Sequence, residues 1–529
     1  MSKWIVPKGV IGNAHTIEIW AGTVGSGTFR CPIGDALRVR RGISPEIASG
    51  PAKKPELVDF ALQPFMEALD RVERDGELPV NVLADLESGK RFGPIHRGVR
   101  RWAVLATRNY LAAYPPGGTD CEDTSWDPVI PGWMYRRRFV PPDQRGISNY
   151  RIRIWGRCYR STDGRVHEIR LPTYSSAGRE RTKAEEAVAA FVVASANPHV
   201  EIVRVREFHC LEGKVGPLLY EGSPAEAVDF HRKVGAPALA SVVNSTEYRP
   251  GDPCVKCRYR IGCRGLPAAP GLLGIEDRSR PRRTWSVSNG RYYRACPAKD
   301  HLRRSRLPTA WEVERSATAE RGRSIHDHLH VRHRHRPQVP CAPDEEAMWS
   351  SEPDGAEHGV ALRMLRHHAE VCPLRGLQAG AELRYEPSLT FDDTSADVVV
   401  KVEPDLLYSD RGSWVWREVK TTRATSSRRF DSLESLPQIA LAVLVLGQRL
   451  LGGDRRRSRV ELEVLRPNGV DLRQFDPFSR DLQEDAHQVI RKMVVDWHRD
   501  EEFAPRPGLE CARCEVRRWC PDALPESSA

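Results

Sequence analysis

Residues 402–420 read VEPDLLYSDRGSWVWREVK, and this stretch carries most of what the sequence says about the fold. The residues just before it, Val398–Val402, are rich in valine, which predicts a strand. Residues 414–420 predict a second strand, in which side chains alternate between the two faces. Four residues would then share one face: Trp414, Trp416, Glu418 and Lys420.

A helix is predicted after this second strand. Pro437 is favourable in the first turn of a helix, and the apolar residues that follow it continue to a stop at Gly452-Gly453. The order helix, strands, helix predicts a small mixed sheet flanked by helices. The expected fold class is therefore α/β.

Length and composition limit the functional classes. A chain of 529 residues with 40% hydrophobic residues can fill two cores or one duplicated core. The formal charge of +10 rests on 81 Lys plus Arg, mostly Arg, which suits phosphate contacts. The N-terminus has no apolar signal segment, and no apolar run is long enough to span a bilayer. We therefore expect a soluble cytoplasmic protein with no membrane partner. Nucleic acid is a reasonable partner.

Eight of the thirteen cysteines form two sets with one frame. The spacing C-x2-C-x5-C occurs twice, and each triplet has a lone partner far upstream that is followed by proline. Because the cytosol keeps thiols reduced, clustered cysteines point to metal rather than to disulfides. The first set is Cys31, Cys254, Cys257 and Cys263, and the second is Cys296, Cys511, Cys514 and Cys520.

The repeated frame predicts a tandem duplication. Arg249-Pro250-Gly251 precedes one triplet and Arg506-Pro507-Gly508 the other. Further matched pairs place Ile95-His96 against Ile325-His326, and Glu168 and Arg170 against Glu418 and Lys420. We predict one domain at 1–270, a linker at 271–283 within a stretch rich in Pro, Gly and charge, and a second copy at 284–525.

The pattern Pro404-Asp405, followed by Glu418 and Lys420, predicts a metal-dependent catalytic site. Carboxylates on adjacent strands can converge on Mg²⁺ or Mn²⁺, which prefer oxygen ligands. Such a metal activates water and neutralises charge on a scissile phosphate, and a lysine on the same face can position the water or stabilise the phosphate. Taken alone, the motif also fits a solvated strand with an ion pair.

Residues 285–520 resemble the RecB-like branch of the PD-(D/E)XK nucleases, particularly members with an iron–sulfur site such as AddAB-type and CRISPR-adaptation nucleases. The motifs occur in the family's order: Ser286-Val287-Ser288 to Cys296-Pro297, Gly322 to His326, Glu382-Leu383, Pro404-Asp405 with Glu418 and Lys420, and Gln438. The resemblance implies two restriction-endonuclease-like domains, each closed by a four-cysteine site. It also implies His326, Asp405 and Glu418 as metal ligands, and Asp405, Glu418, Lys420 and Gln438 as catalytic residues. One departure is Ala442, where the family has a tyrosine.

Two metal assignments remain open in the sequence. The histidine-rich stretch around His326 could form a separate zinc site, because His326, His330 and His333 would share a helical face. Each cysteine set fits a [4Fe–4S] cluster, as the resemblance implies, although the spacing does not exclude Zn²⁺. Closing more than 200 residues between Cys296 and Cys511 would stabilise the fold by about 5 kcal/mol. The cysteines outside the two sets, including Cys341 and Cys372, are interpreted as ordinary thiols.

The first copy is predicted to lack catalysis. In the alignment, Gly156-Arg157 replaces Pro404-Asp405, so a divalent cation would meet a positive charge. We expect Arg157 and Arg170 to occupy the place of the metal. Arginines around this cleft could contact phosphate, although a degenerate basic surface is an equal alternative. The DNA-binding candidates are Arg136, Arg137, Arg138 and Arg157.

The favoured function is cleavage of DNA, on single strands or ends, in repair, recombination or phage defence, as the resemblance implies. No Walker-type Gly-Lys-Ser/Thr loop is present, so any unwinding needs a separate helicase or ATPase. One alternative is a non-catalytic DNA-binding scaffold with two iron–sulfur domains. Another is a zinc-containing RNA-processing protein, because no residue pattern here distinguishes ribose from deoxyribose.

Overall fold

A computed structural model describes most of the chain. The described residues are 7–25, 30–47, 57–58, 60–130, 132–138, 149–177, 180–197, 199–310, 316–336, 339–343, 355–378, 380–425 and 430–524. Among them, no helix has both the length and the apolar character needed to cross a membrane.

The described residues form a mixed α/β structure, as predicted. The strands are β1 (Val10–Gly12), β2 (Thr16–Trp20), β3 (Ile43–Pro45), β4 (Trp126–Pro128), β5 (Met134–Arg138), β6 (Asn149–Arg153), β7 (Arg157–Ser161), β8 (Val166–Thr173), β9 (Ile202–His209), β10 (Lys214–Gly222), β11 (Arg283–Trp285), β12 (Leu383–Tyr385), β13 (Leu389–Asp393), β14 (Val398–Val402), β15 (Leu406–Asp410), β16 (Ser413–Thr421), β17 (Arg459–Arg466) and β18 (Gly469–Phe475).

The helices lie on and between the sheets. They are α1 (Pro32–Arg38), α2 (Leu62–Glu73), α3 (Pro79–Ser88), α4 (Arg97–Ala113), α5 (Lys183–Ala196), α6 (Pro224–Phe230), α7 (Ala236–Val243), α8 (Val287–Ala295), α9 (Pro297–Arg304), α10 (Ala317–His335), α11 (Gly355–Val371), α12 (Pro437–Gly447) and α13 (Arg480–Arg499). The predicted helix start at Pro437 is confirmed, but the helix ends at Gly447 rather than at Gly452.

The main sheet of the second half has the order β12-β15-β16-β17-β18. Strands β16 and β17 are parallel and the other neighbours are antiparallel. A parallel pair needs a crossover, which α12 provides on one face of the sheet. A smaller sheet, β11-β14-β13, pairs β11 with β14 in parallel. The predicted strands at 398–402 and 414–420 correspond to β14 and β16.

The first half contains sheets with the same order and directions. Its five-stranded sheet is β10-β9-β8-β7-β4, with β8 and β9 parallel and α5 between them in sequence. Its three-stranded sheet is β2-β6-β5, with β2 and β6 parallel. The helix and strand sequence around β8 therefore matches that around β16.

The stretch predicted as a linker packs into the second half. Ala269, Leu272 and Leu273 are fully buried and belong to the same hydrophobic core as α12 and α13. The buried carboxylate of Asp393 accepts hydrogen bonds from the backbone N–H groups of Gly271 and Leu273, at 3.1 and 2.8 Å. The beginning of 271–283 is therefore part of the second core and not a free connection.

The two halves also pack against each other at the cysteine-bearing segments. Arg260, beside the first set, pairs with Asp392 and Asp397 of the second half at 2.7 and 2.6 Å. Leu302 and Trp519, beside the second set, belong to the core formed by α2, α3 and α4 of the first half. Each cysteine-bearing segment therefore contacts the opposite half.

Candidate active site

Three of the predicted catalytic residues come together at one edge of the main sheet of the second half. Asp405 directly precedes β15, while Glu418 and Lys420 lie on β16. The Nζ atom of Lys420 is 3.1 Å from Glu418 Oε2 and 3.6 Å from Asp405 Oδ2. Glu418 and Lys420 lie side by side because residues two apart on a strand point to the same face, as the alternation along β16 predicts.

Hydrogen bonds orient both carboxylates. The backbone N–H of Val419 donates to Asp405 Oδ2 at 2.7 Å, and the indole N–H of Trp416 donates to Glu418 Oε1 at 3.0 Å. Each bond uses one oxygen of its carboxylate. The bond to Val419 therefore attaches the loop before β15 to the strand that carries Glu418.

His326 reaches the same site from α10. Its Nδ1 atom is 3.5 Å from Asp405 Oδ1, so the predicted ligand His326 lies beside the predicted ligand Asp405. Gly322, one turn earlier, lies against the end of β16, because a Cβ atom there would be 3.3 Å from Thr421 Oγ1. The small residue allows α10 to approach the strand closely, which brings His326 within reach.

The charges in this site are strongly coupled. Burial disfavours the ionised form of Asp405, but Lys420 and His326 lower its pKa to about 2. Burial and the charge of Asp405 raise the pKa of Glu418. Burial disfavours the cations too, yet the carboxylates outweigh it and raise the pKa of Lys420 and of His326. Two carboxylates and an imidazole close together favour a cation between them.

Gln438 lies at the rim of the site and has a partner that the sequence did not suggest. Its Oε1 atom accepts a hydrogen bond from the guanidinium of Arg291 on α8 at 2.7 Å. Arg291 also interacts electrostatically with Glu418. The sequence pattern draws attention to the ends of this segment, Ser286 and Cys296, and contains no signal for Arg291.

The histidine tract on α10 does not form one metal site. His330 contacts Glu386, with 3.2 Å between Nδ1 and Oε2. His333 lies in a separate buried group with Cys341, His368 and Cys372, which the sequence analysis missed. The spacing of His368 and Cys372, four residues apart at the end of a helix, was the available signal. The interpretation of Cys341 and Cys372 as ordinary thiols therefore needs revision.

The first cysteine set lines a partly open cavity. Cys31, Cys254, Cys257 and Cys263 form part of the wall of a volume of about 130 Å³ whose other walls are largely apolar. The backbone N–H of Arg249 donates to Cys31 Sγ at 3.5 Å, and that of Gly251 donates to Cys254 Sγ at 3.4 Å. Such N–H groups stabilise thiolates, which a metal or cluster requires.

The second cysteine set repeats this arrangement. The backbone N–H of Arg506 donates to Cys296 Sγ at 3.3 Å, as Arg249 does to Cys31. The thiols of Cys296, Cys511, Cys514 and Cys520 lie close enough to influence one another electrostatically. Both sets therefore bring their lone upstream cysteine to the C-x2-C-x5-C triplet.

The predicted match of Glu168 and Arg170 with Glu418 and Lys420 is wrong, because the two pairs lie on opposite faces of their sheets. Glu168 and Arg170 form a buried pair 2.6 Å apart on the side of α4, where Arg170 lies over the Tyr114 ring. The residues that face α5 are Ile169 and Leu171. In the second half, Trp416 and therefore Glu418 are on the side of α12. At these two positions the corresponding face of β8 carries hydrocarbon side chains in place of a carboxylate, and His167, two residues before Ile169, stacks on the Trp133 ring.

His96 is not the structural counterpart of His326. It caps the N-terminus of α4, accepting from the backbone N–H of Gly98 at 3.0 Å, whereas His326 lies within a helix. Its Nε2 atom is 3.0 Å from the carbonyl oxygen of Phe503, and its ring lies 4.9 Å from that of His301. His96 therefore belongs to the contact between the two halves.

The predicted DNA-binding arginines differ in exposure. Arg157 does not present its guanidinium to a nucleic acid, because it is buried and paired with Asp70 and Glu73 of α2. Arg136 and Arg137 are exposed on β5, an edge strand. The side chain of Arg138 lies outside the described residues.

Comparison with known proteins gives one family match, and it lies in the second half. Residues 284–521 match the family model of the PD-(D/E)XK nuclease superfamily. No curated protein matches the chain. Among solved structures, the crystal structure of SSO0001 is similar at 13% identity over 45% of this chain and 98% of that chain, with a TM-score of 0.19. At this TM-score the two chains do not share an overall superposition, whereas residues 284–521 match the nuclease family model and contain the converging residues described above.

We expect Asp405→Asn and Glu418→Gln each to lower the affinity for Mn²⁺ by roughly tenfold or more, because each removes a negative oxygen ligand. Asp410→Asn is the matched control, since Asp410 lies on β15 but pairs with Arg459 at 2.9 Å. Calorimetric titration with Mn²⁺ measures the affinities. Unchanged binding in both site variants would show that the metal lies elsewhere.

Proposed function

We propose that the second half, whose residues 284–521 form a PD-(D/E)XK nuclease superfamily domain, is a Mg²⁺- or Mn²⁺-dependent nuclease that cleaves DNA. The observation that carries this proposal is the convergence of His326, Asp405, Glu418 and Lys420 at one edge of the sheet. A site built only for stability would not need two partly desolvated carboxylates beside each other.

The residues of the site have distinct roles in this proposal. Asp405, Glu418 and His326 hold the cation, and their hydrogen bonds to Val419 and Trp416 fix the directions of the carboxylates. A bound cation would activate water and neutralise charge on the scissile phosphate. Lys420, already within 3.6 Å of both carboxylates, is placed to donate to a phosphate oxygen or to the attacking water.

Arg291 and Gln438 are proposed to contact the substrate at the rim. The guanidinium of Arg291 can form paired hydrogen bonds with phosphate, and Gln438 holds it in place at 2.7 Å. Ala442, in place of the family's tyrosine, is fully buried in the core of α12 and contributes no polar group. Arg291 is therefore the better candidate for the substrate contact on this side of the site.

DNA single strands or ends are the proposed substrates, on the basis of the resemblance to helicase-associated nucleases. The net charge of +10 and the exposed Arg136 and Arg137 support a nucleic acid partner. Unwinding would come from a separate helicase or ATPase, and the proposed settings are repair, recombination or phage defence. A cytoplasmic location belongs to the same proposal.

The first half is proposed to be a duplicated, non-catalytic copy of the nuclease domain. The shared strand order of both sheet pairs supports the duplication. Loss of catalysis follows from Ile169 and Leu171 on the face where the second half has its carboxylate. The buried Glu168–Arg170 pair lies on the opposite face and is enclosed by tyrosines, so it acts in packing.

Both cysteine sets are proposed to hold a [4Fe–4S] cluster in the RecB-like manner. At the first set, a cavity of about 130 Å³ with four thiols in its wall has room for a group larger than a single ion. Mononuclear zinc needs sulfur atoms roughly 3.8 Å apart, from a Zn–S bond of about 2.3 Å. Among the described residues, the group whose ligand atoms all lie within 4.8 Å of one another is the one around His333 and neither cysteine set. The role is structural, because each set closes a segment onto the opposite half.

For catalysis, we expect Asp405→Asn, Glu418→Gln and Lys420→Met each to reduce DNA cleavage by at least about 100-fold, since each removes a cation ligand or a phosphate contact. Asp410→Asn should cleave like the wild type. Cleavage of labelled single- and double-stranded DNA and RNA with Mg²⁺ or Mn²⁺ measures this. Wild-type rates in all three variants would contradict the site, and preferential cleavage of RNA would contradict the substrate.

For DNA binding, we expect Arg136→Gln/Arg137→Gln to weaken affinity and to flatten its salt dependence by a slope of about 0.7 to 0.9 per lost phosphate contact. Arg232→Gln/Lys233→Gln is the control, because it removes the same charge from exposed cations of the same half that lie outside β5. Fluorescence anisotropy at several salt concentrations gives the slopes. An equal loss in both double variants would mean that binding depends only on net charge.

For the cysteine sets, we expect Cys514→Ser to remove about half of the cluster absorbance and to destabilise the protein. Cys121→Ser, an exposed cysteine outside the sets, should change neither property. Visible spectra, iron content and melting temperature of anaerobically purified protein measure both effects. A colourless wild type with stoichiometric zinc in both sets would contradict the iron–sulfur proposal.

A further inference from the structure

A second group of metal-ligating side chains lies buried in the second half, apart from the candidate active site. It consists of His333, Cys341, His368 and Cys372. All four residues are buried, and one ligand atom from each lies within 4.8 Å of the others. The group draws on three places in the chain: α10, the segment after it, and the end of α11.

The distances within this group match a tetrahedral metal site. A tetrahedron with metal–nitrogen bonds of about 2.0 Å and metal–sulfur bonds of about 2.3 Å has edges of roughly 3.3 to 3.8 Å. The Nε2 atom of His333 is 3.3 Å from His368 Nε2, 3.4 Å from Cys341 Sγ and 3.8 Å from Cys372 Sγ. Two imidazoles and two thiols therefore already point at one centre.

Hydrogen bonding alone does not account for this convergence. A single ring nitrogen can donate or accept only one good hydrogen bond, yet His333 Nε2 faces three polar atoms at once. Two thiols and two imidazoles that share one buried centre are ligand types that zinc takes, the thiols as thiolates and the imidazoles in their neutral form.

The surroundings fix the direction of one imidazole. His368 Nδ1 lies 2.6 Å from Glu463 Oε1, and the other oxygen of Glu463 accepts from Arg417 at 3.1 Å. A carboxylate on one ring nitrogen leaves the other free to bind metal, which is the usual arrangement around metal-bound histidines. Glu463 and Arg417 lie on the main sheet, so the group is anchored to it.

We propose that His333, Cys341, His368 and Cys372 bind one Zn²⁺ ion. Two sulfur and two nitrogen ligands in a tetrahedron are typical of zinc. Four protein ligands leave no open position for substrate, so this zinc is structural. It joins the end of α10 to the end of α11 and to β17.

The zinc site is distinct from the nuclease centre. His326 and His333 are seven residues apart on α10, which corresponds to roughly 10 Å along the helix. The cation in the nuclease centre is held by two carboxylates and one imidazole and exchanges readily, whereas the zinc is enclosed by sulfur and nitrogen alone. Failure of the nuclease assignment would leave this site unaffected.

The first test is metal content. The full chain is purified without added metal or chelator, and zinc and iron are measured by plasma mass spectrometry. We expect Cys372→Ser and His368→Ala each to contain one zinc per chain less than the wild type, with unchanged iron. Cys158→Ser, at a buried cysteine outside both sets, should keep its zinc. Equal zinc in the wild type and both site variants overturns the proposal.

A second test replaces one ligand with another type of zinc ligand, so that no ligand is lost. His333→Cys provides three thiolates and one imidazole, which is also a zinc ligand set, so this variant should keep zinc and its melting temperature. After exchange into Co²⁺, it should show a stronger thiolate-to-metal charge-transfer band than the wild type. An identical band, or a Cys341–Cys372 disulfide found by non-reducing peptide mass spectrometry, overturns the assignment.

Discussion

The hydrogen bond from the Val419 N–H to Asp405 is the contact on which the candidate site depends. Asp405 lies before β15 rather than on a strand, so sheet pairing alone does not fix its side chain. Because β15 runs antiparallel to β16, its first residue lies beside the part of β16 that carries Glu418 and Lys420. The 2.7 Å bond then holds one oxygen of Asp405 on that strand and leaves the other toward His326.

Strand β16 is charged on both faces, which is unusual for a strand so deeply buried. Glu418 and Lys420 face the active site, while Arg417 on the other face pairs with Glu461 and Glu463 at 2.6 and 3.1 Å. A buried charge is tolerated only when it is paired. The Arg417 pairs provide that compensation, and through Glu463 they also reach His368. The strand that positions the nuclease residues is thus held by the group we assign to zinc.

The two halves have the same strand order but carry different side chains on the equivalent faces of β8 and β16. In the second half, the face of β16 toward α12 carries the acidic site at its end. In the first half, the same face of β8 packs Ile169 and Leu171 against α5, and the charged pair Glu168–Arg170 is enclosed by aromatic rings on the other side. Each cysteine-bearing segment contacts the opposite half, through Arg260 in one case and Trp519 in the other. The role proposed for the first half, packing and exposed arginines rather than chemistry, agrees with these contacts.

The sequence alone determined the features that depend on local pattern. Alternation along 414–420 placed Glu418 and Lys420 on one face, Pro437 marked the start of α12, and the repeated spacing grouped each upstream cysteine with its triplet. The sequence did not predict the features that depend on how separate elements pack together. A shift of one residue in the alignment of β8 with β16 moves Glu168 to the opposite face of the sheet, because side chains alternate strictly along a strand. Arg291 and the group of His333, Cys341, His368 and Cys372 come from separate elements, so only the packing of α8, α10 and α11 brings their side chains to their partners.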